Sequence, residues 1–136
     1  MTLTAPRAEV DPYRAISLTL ANGGGTFRAS DLSPVTADDI PAGTEAWCVG
    51  FGHQGQRLRS DDPLSPLRLL EVRAHCRRQG IEYVGTWINA APDVEDCYID
   101  PVTILPTLDE ALALAEREGE AAVYGLHNGQ TVQVEQ

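Results

Sequence analysis

The chain has no lysine, only three cysteines, only eight aromatic residues and no apolar run approaching a membrane span. Each shortage excludes something. A helix crossing a bilayer needs about 20 consecutive apolar residues, and none can be written along this sequence. The opening residues, Met1-Thr-Leu-Thr-Ala-Pro-Arg, lack the apolar stretch of a secretory signal. Cys48, Cys76 and Cys97 are odd in number and show no C-x-x-C spacing, so they predict reduced thiols in a cytoplasmic protein. Arginine supplies all ten basic residues. Together with the wealth of alanine, glycine and proline, this reflects GC-rich codon usage in a bacterium, phage or plasmid more than a function.

Bases are scarcest where acids are most plentiful. Residues 82–136 hold eleven acids and one base, Arg117, for a net charge of −10. Residues 57–81 carry +3 and residues 1–56 carry −3, so the last 55 residues match the net charge of the whole chain. Such asymmetry speaks of partners and long-range fields. It argues against direct binding to nucleic acid or to anionic membranes, both of which need a dominant basic surface. An acidic surface suits a basic partner, and it also serves solubility.

At 136 residues, 43% hydrophobic and 22% charged, the chain is long enough to bury one core. Residues 1–13 read as a loose leader, and 14–136 as a single domain. Residues 15–21 alternate, with Ile16, Leu18 and Leu20 on one side, which predicts a strand. Asn22-Gly-Gly-Gly25 supplies a turn, 26–30 a second strand and 45–51 a third. The stretch 31–44 and the glycine-rich, then charged, stretch 52–64 read as loops. Ser65-Pro66 starts a helix to Gln79, closed by Gly80, with Leu67, Leu70 and Ala74 on one stripe and Leu69, Val72 and Cys76 widening it. Residues 81–88 form a fourth strand and Cys97–Ile99 a fifth, which Asp100-Pro101 is expected to make an edge or a bulge. Thr107-Leu-Asp-Glu110 is a capping box opening a second helix that ends at Gly119. Strands at 121–126 and 131–135 flank Asn128-Gly129, a type I′ turn signal. The resulting expectation is an α+β domain of order βββ-α-ββ-α-ββ. Two helices would pack on one face of a mostly antiparallel sheet.

Two groups of residues stand out as candidate sites. Gly50-Phe-Gly-His-Gln-Gly55 follows a strand and matches G-x-G-x-x-G. However, the next helix begins about ten residues too late for a dinucleotide fold. A looser anion or nucleotide site survives in Gly52, His53, Gly55, Arg57 and Arg59, where glycine leaves backbone N–H groups accessible beside guanidinium groups. The second group is Trp87 and Tyr98 on neighbouring strands, with Tyr83 nearby and Gly85 leaving a flat gap between Tyr83 and Trp87. With Asp93, Glu95, Asp96 and Asp100 these aromatics make a candidate surface for a protein partner. The same aromatics also suit core packing.

No spacing among His53, His75, His127 and the cysteines resembles a metal site, and no nucleophile stands beside a base, so no metal, cofactor or catalytic residue is expected. The stretches Val84-Gly-Thr-Trp-Ile and Tyr98-Ile-Asp-Pro-Val, followed by the 107–118 helix and Ala122-Val-Tyr-Gly-Leu, resemble small proteins of GC-rich bacteria and their phages. That resemblance implies an accessory role and no particular activity. The leading expectation is a non-enzymatic cytoplasmic protein that binds a macromolecule, most naturally a protein, through its acidic C-terminal surface, as a phage- or plasmid-encoded inhibitor or regulator does. The rival expectation is a small-ligand module built on the glycine-rich loop. The sequence specifies no oligomeric state.

Overall fold

The computed structural model describes residues 10–50, 58–60, 65–91 and 94–134; for 58–60, 89–91 and 94–97 it describes the backbone only. Its first element corrects the sequence reading. Residues 15–21 lie in a helix, α1 (Pro12–Asn22), which begins inside the stretch read as leader. Three local signals make this helix. The Asp11 side chain accepts from the Arg14 N–H at 3.1 Å, Pro12 sits in the first turn, and Gly23, at φ 79°, closes the helix in the left-handed region. The buried side is Pro12, Ala15 and Thr19, not the alternating Ile16, Leu18 and Leu20. The Thr19 hydroxyl donates to the Ala15 carbonyl at 2.8 Å, so it must accept from the Thr86 hydroxyl, 2.6 Å away on the sheet.

Nine further helices and strands follow. They are β1 (Gly24–Arg28), β2 (Trp47–Gly50), β3 (Leu58–Ser60), α2 (Pro66–Gln79), β4 (Tyr83–Ala91), β5 (Val94–Leu105), α3 (Leu108–Glu118), β6 (Ala122–Gly125) and β7 (Thr131–Gln133). A single 3₁₀ turn at Ala37–Asp39 interrupts the 31–44 segment. The described residues therefore hold three α-helices where two were expected, and β3 lies in a stretch read as loop. The coarse expectation of an α+β domain holds.

The strands form one sheet in the order β1-β4-β5-β2-β6-β7, with β3 also on β5, and each described pairing is antiparallel. β2 and β4 consequently run parallel with β5 between them, and β5 and β6 run parallel with β2 between them. Helix α2 lies on the first of these connections and α3 on the second. β5 is an unbroken central strand, not an edge strand or a bulge. Pro101 is tolerated there because β3 pairs with residues 97–99 and β2 with 102–105 on the same side of β5. Asp100 and Pro101 fall between the two partners, where that side's ladder needs no N–H.

Packing divides into three clusters. Leu69, Val72 and Cys76 of α2 and Ala15 of α1 meet Phe27, Val84 and Ile99. Ala111 and Ala115 of α3 meet Trp47, Val49 and Val123. The alternate strand residues Cys48 and Val102 pack, with Tyr83, against Val35, Ile40, Ala46 and Leu126. On α2 the core stripe is thus 69/72/76, whereas Leu67 is 67% exposed, correcting the stripe drawn through Leu67 and Leu70.

Capping follows the sequence more closely. Ser65 accepts from the Arg68 N–H at 3.1 Å, and Thr107 accepts from that of Glu110 at 3.2 Å. The Glu110 carboxylate meets the Thr107 hydroxyl at 3.1 Å. The Asn128-Gly129 connection is longer than a type I′ turn. Of the two residues only Gly129 has positive φ, because the Asn128 side chain instead accepts from the Gln130 N–H at 3.0 Å.

Candidate functional site

Register joins residues that the sequence assigned to two different sites. Trp87 of β4 lies directly opposite Tyr98 of β5, and Tyr98 lies opposite Arg59 of β3. Directly opposed residues share a sheet face, so Trp87, Tyr98 and Arg59 form one row of positions across three strands. The neighbouring rows on that face pair Gly85 with Asp100 and Asn89 with Asp96. Glu95 opposes Ala90 and so belongs to the alternate set of positions. The expected partner surface is therefore divided: Trp87, Asp96, Tyr98 and Asp100 share a face, and Glu95 does not. Asp93 lies outside the described residues, as do Gly52, His53, Gly55 and Arg57 of the glycine-rich site.

The aromatic pair is stacked. The ring centroids of Trp87 and Tyr98 are 5.4 Å apart with 28° between their planes. Tyr98 is buried, while Trp87 is 53% exposed. One face of the indole is covered by the phenol ring, and the exposure falls to the rest of the indole. Local sequence explains the openness. β1 begins at Gly24, directly opposite Trp87, with the Gly23 carbonyl accepting from the Ile88 N–H at 3.0 Å just beyond it, and glycine offers no side chain to cover the ring. A Cβ on Gly24 would stand 2.8 Å from the Thr86 carbonyl oxygen, so the strand approaches too closely for any other residue without a shift. Gly85, in contrast, leaves no flat gap, because the Val102 side chain occupies the space a Cβ would take. Tyr83 is not part of the stack; it packs in the cluster of Cys48 and Val102. Burial raises its phenol pKa, and the Glu82 carboxylate adds to that.

Arg28, Arg73 and Arg77 are occupied. A shallow cavity of about 480 Å³ is lined by residues including Arg28, Ser30, Arg77, Ile81 and Tyr83. Arg28 donates to the Ser33 hydroxyl and the Pro34 carbonyl at 3.1 and 2.9 Å, and it pairs with Asp39 at 3.3 Å. Arg73 and Arg77 both donate to the Ser30 carbonyl, at 2.6 and 3.4 Å. Burial and the charge of Arg77 hold Arg73 below the usual guanidinium range. Arg73 and Arg77 thereby tie Ser30 to α2 while Arg28 is held within the 28–39 segment, leaving that cavity poorly equipped to attract an anion.

Among the described side chains, the Cys48 and Cys76 thiols are poorly suited to nucleophilic chemistry. Burial pushes Cys48 and Cys76 each up to about 11, and the Thr26 hydroxyl, 3.6 Å from the Cys48 sulfur, offsets only part of the shift there. At neutral pH both are protonated. The His127 ring stands edge-on to Trp47 at 5.0 Å, and its Nδ1 lies 3.2 Å from the Ala46 N–H, which donates to it. Among the described residues no three His, Cys, Asp or Glu side chains gather as metal ligands, and no helix is long and apolar enough to cross a membrane.

The sequence places Trp87 and Tyr98 on neighbouring strands, but it carries no sign of the Trp87–Tyr98–Arg59 row. That row depends on β3 adding to β5, a pairing with no local signature beyond the proline at position 101. No protein family, characterised protein or solved structure matches the chain.

Proposed function

We propose that this chain is a non-catalytic binding protein of the cytoplasm that engages a protein partner through the acidic, tryptophan-bearing end of β4 and β5. The observation that carries the reading is Trp87, 53% exposed on its stack with Tyr98 in a chain with few aromatics. A large aromatic ring left half in water is a recurrent anchor of protein interfaces. Its charge setting supports a basic partner. Between residues 82 and 116 there are eight acids and no base. Asp96 and Asp100 occupy the rows on either side of Trp87 and Tyr98. In this reading the three helices form a layer on the opposite face of the sheet. An inhibitor or regulator encoded by a phage or plasmid fits such a surface, since it acts by occupancy and needs no catalytic group.

The test is native mass spectrometry of the protein purified gently from its own cells at low and at high salt. The expected result is a protein-sized added mass that dissociates as salt rises, because exposed charge is screened within about 8 Å near physiological ionic strength. A complex indifferent to salt would refute the electrostatic part of the reading. A small added mass would instead favour the rival reading, an anionic ligand held by Gly50–Gly55, Arg57 and Arg59. One observation supports that rival: Arg59 stands in register beside Tyr98. Under it, replacing Arg57 and Arg59 by alanine abolishes ligand uptake and leaves the fold intact.

A further inference from the structure

We infer that β7 is an edge to which a second copy of this chain adds antiparallel, so that one sheet runs through both copies. This surface lies apart from the β4–β5 end and does not depend on the partner reading. Three observations converge on it. First, the outer main-chain groups of β7 are open. The Gly125 N–H donates to the Gln130 carbonyl at 2.8 Å and the Val134 N–H to the Ala121 carbonyl at 2.9 Å, with Val123 opposite Val132 between them. Residues 130, 132 and 134 therefore turn their main-chain groups to β6, and Thr131 and Gln133 turn theirs away. Both are exposed, and among the described residues no strand lies on that side. The opposite edge of the sheet is treated differently. On the outer side of β1 the Thr26 carbonyl accepts from the Val35 N–H at 2.8 Å, and the Arg28 N–H donates to the Ser33 carbonyl at 2.9 Å.

Second, the β7 edge carries none of the usual side-chain guards. Edge strands are commonly blunted by charge or by proline. Residues 121–134 contain no acid, no arginine and no proline, and no other stretch of the chain runs so long without a charge. In a chain of net charge −10 this neutral strip is where two copies meet with least repulsion. The guard that β7 does have is its shortness, at three residues, which keeps the interface small and the dimer reversible.

Third, the strand is complementary to itself. A two-fold axis at Val132 sets Thr131 opposite the second copy's Gln133, and Gln133 opposite its Thr131. These are the residues whose main-chain groups point outward, so each such pair exchanges both of its N–H···O bonds. On the exposed face a hydroxyl then meets an amide. On the other face the two Val132 side chains meet in the closer, non-hydrogen-bonded pair. That face is short of cover, since Val132 and Val134 pack on the cluster of Val49, Ala111, Ala115 and Val123 but stay only half-buried. A second β7 covers Val132 with its own twin, as an isologous contact requires.

The test is sedimentation equilibrium of the full chain from about 5 to 500 µM, at low and at high salt, a span suited to a small interface. The expected result is a monomer–dimer equilibrium that salt strengthens, because salt screens the repulsion between two acidic chains. Gln133→Pro removes an outward N–H that β6 does not use, and it should weaken the dimer at least about tenfold. Two double variants at exposed positions read the register. Thr131→Lys with Gln133→Lys sets like charges opposite each other while lowering the net charge, and Thr131→Lys with Gln133→Glu sets opposite charges there. The second should dimerise about fivefold more tightly than the first, against the trend of net charge. Thermal melting confirms that each variant folds. A chain monomeric throughout would overturn the inference, as would a dimer that salt weakens or that Gln133→Pro leaves unchanged. Equal dimerisation of the two lysine-bearing variants would overturn it as well. None of these outcomes touches the partner reading, which stands or falls on a complex with another protein that salt dissociates.

Discussion

The two tryptophans of this chain sit on strands of one sheet and have opposite fates. Trp47 is 3% exposed, donates its indole N–H to the Glu45 carboxylate at 2.8 Å and lies among Val49, Ala111, Ala115 and Val123. Trp87 is 53% exposed and stacks on Tyr98. The difference follows from what surrounds each strand. β2 has β5 on one side, β6 on the other and α3 packed against it, whereas beside Trp87 β4 has Tyr98 of β5 on one side and on the other only the first residue of β1, a glycine. A residue type that buries well is left in water where the neighbouring strand runs out, and that is where a binding function is most economically placed.

The comparison breaks most visibly on substitution by alanine. Trp47→Ala is expected to cost about 3–5 kcal/mol in urea unfolding, the usual range for emptying a buried aromatic site. Trp87→Ala should change stability by no more than about 1 kcal/mol while removing partner binding. If the two variants prove equally destabilised, Trp87 is a core residue and the comparison fails. Gly85→Ala should cost about 1–3 kcal/mol, because its Cβ would overlap the Val102 side chain. Should Gly85→Ala be neutral, the flat gap expected from the sequence would be restored as an explanation.

Thr19→Val should cost about 1–2 kcal/mol, since it leaves the buried Thr86 hydroxyl without its acceptor. Thr86→Val is expected to be milder, because Thr19 keeps its bond to Ala15. The double variant tests whether the pair acts as a unit.

The smallest effect belongs to the thiols. In a Cys97→Ser background, Cys48 and Cys76 should resist iodoacetamide at pH 8 until the chain is unfolded. With folded pKa values of about 11, only about one thiol in a thousand is ionised. The unfolded chain ionises these groups near the ordinary value of 9.0 and the folded chain near 11. Their contribution to stability is therefore intact below pH 9 and is lost as pH rises through 11. Rapid labelling of the folded protein at pH 8 would contradict the burial of both.

Much of this was legible in the residues, for identifiable reasons. α2 and α3 announce themselves through Ser65-Pro66, Thr107, Gly80 and Gly119, because caps are local chemistry. α1 was equally announced by Asp11-Pro12 and Gly23, but the alternation of Ile16, Leu18 and Leu20 outweighed those signals. Its true buried stripe runs through the small residues Ala15 and Thr19, which carry little hydrophobic weight. Pro101 misled for a different reason: a proline can lie in a central strand when two partner strands meet end to end opposite it. The aromatic pair was visible as spacing around a hairpin. The addition of Arg59 to its row was not, because strand register across β3 and β5 is set by the whole sheet.

The most direct test of the central claim is site-specific photocross-linking in the protein's own cells. A benzophenone side chain would replace Trp87 in one variant and Tyr124, the half-exposed tyrosine of β6, in another. The account predicts an adduct with one basic protein from position 87 and none from position 124. No adduct at 87, or the same adduct from both positions, would contradict it.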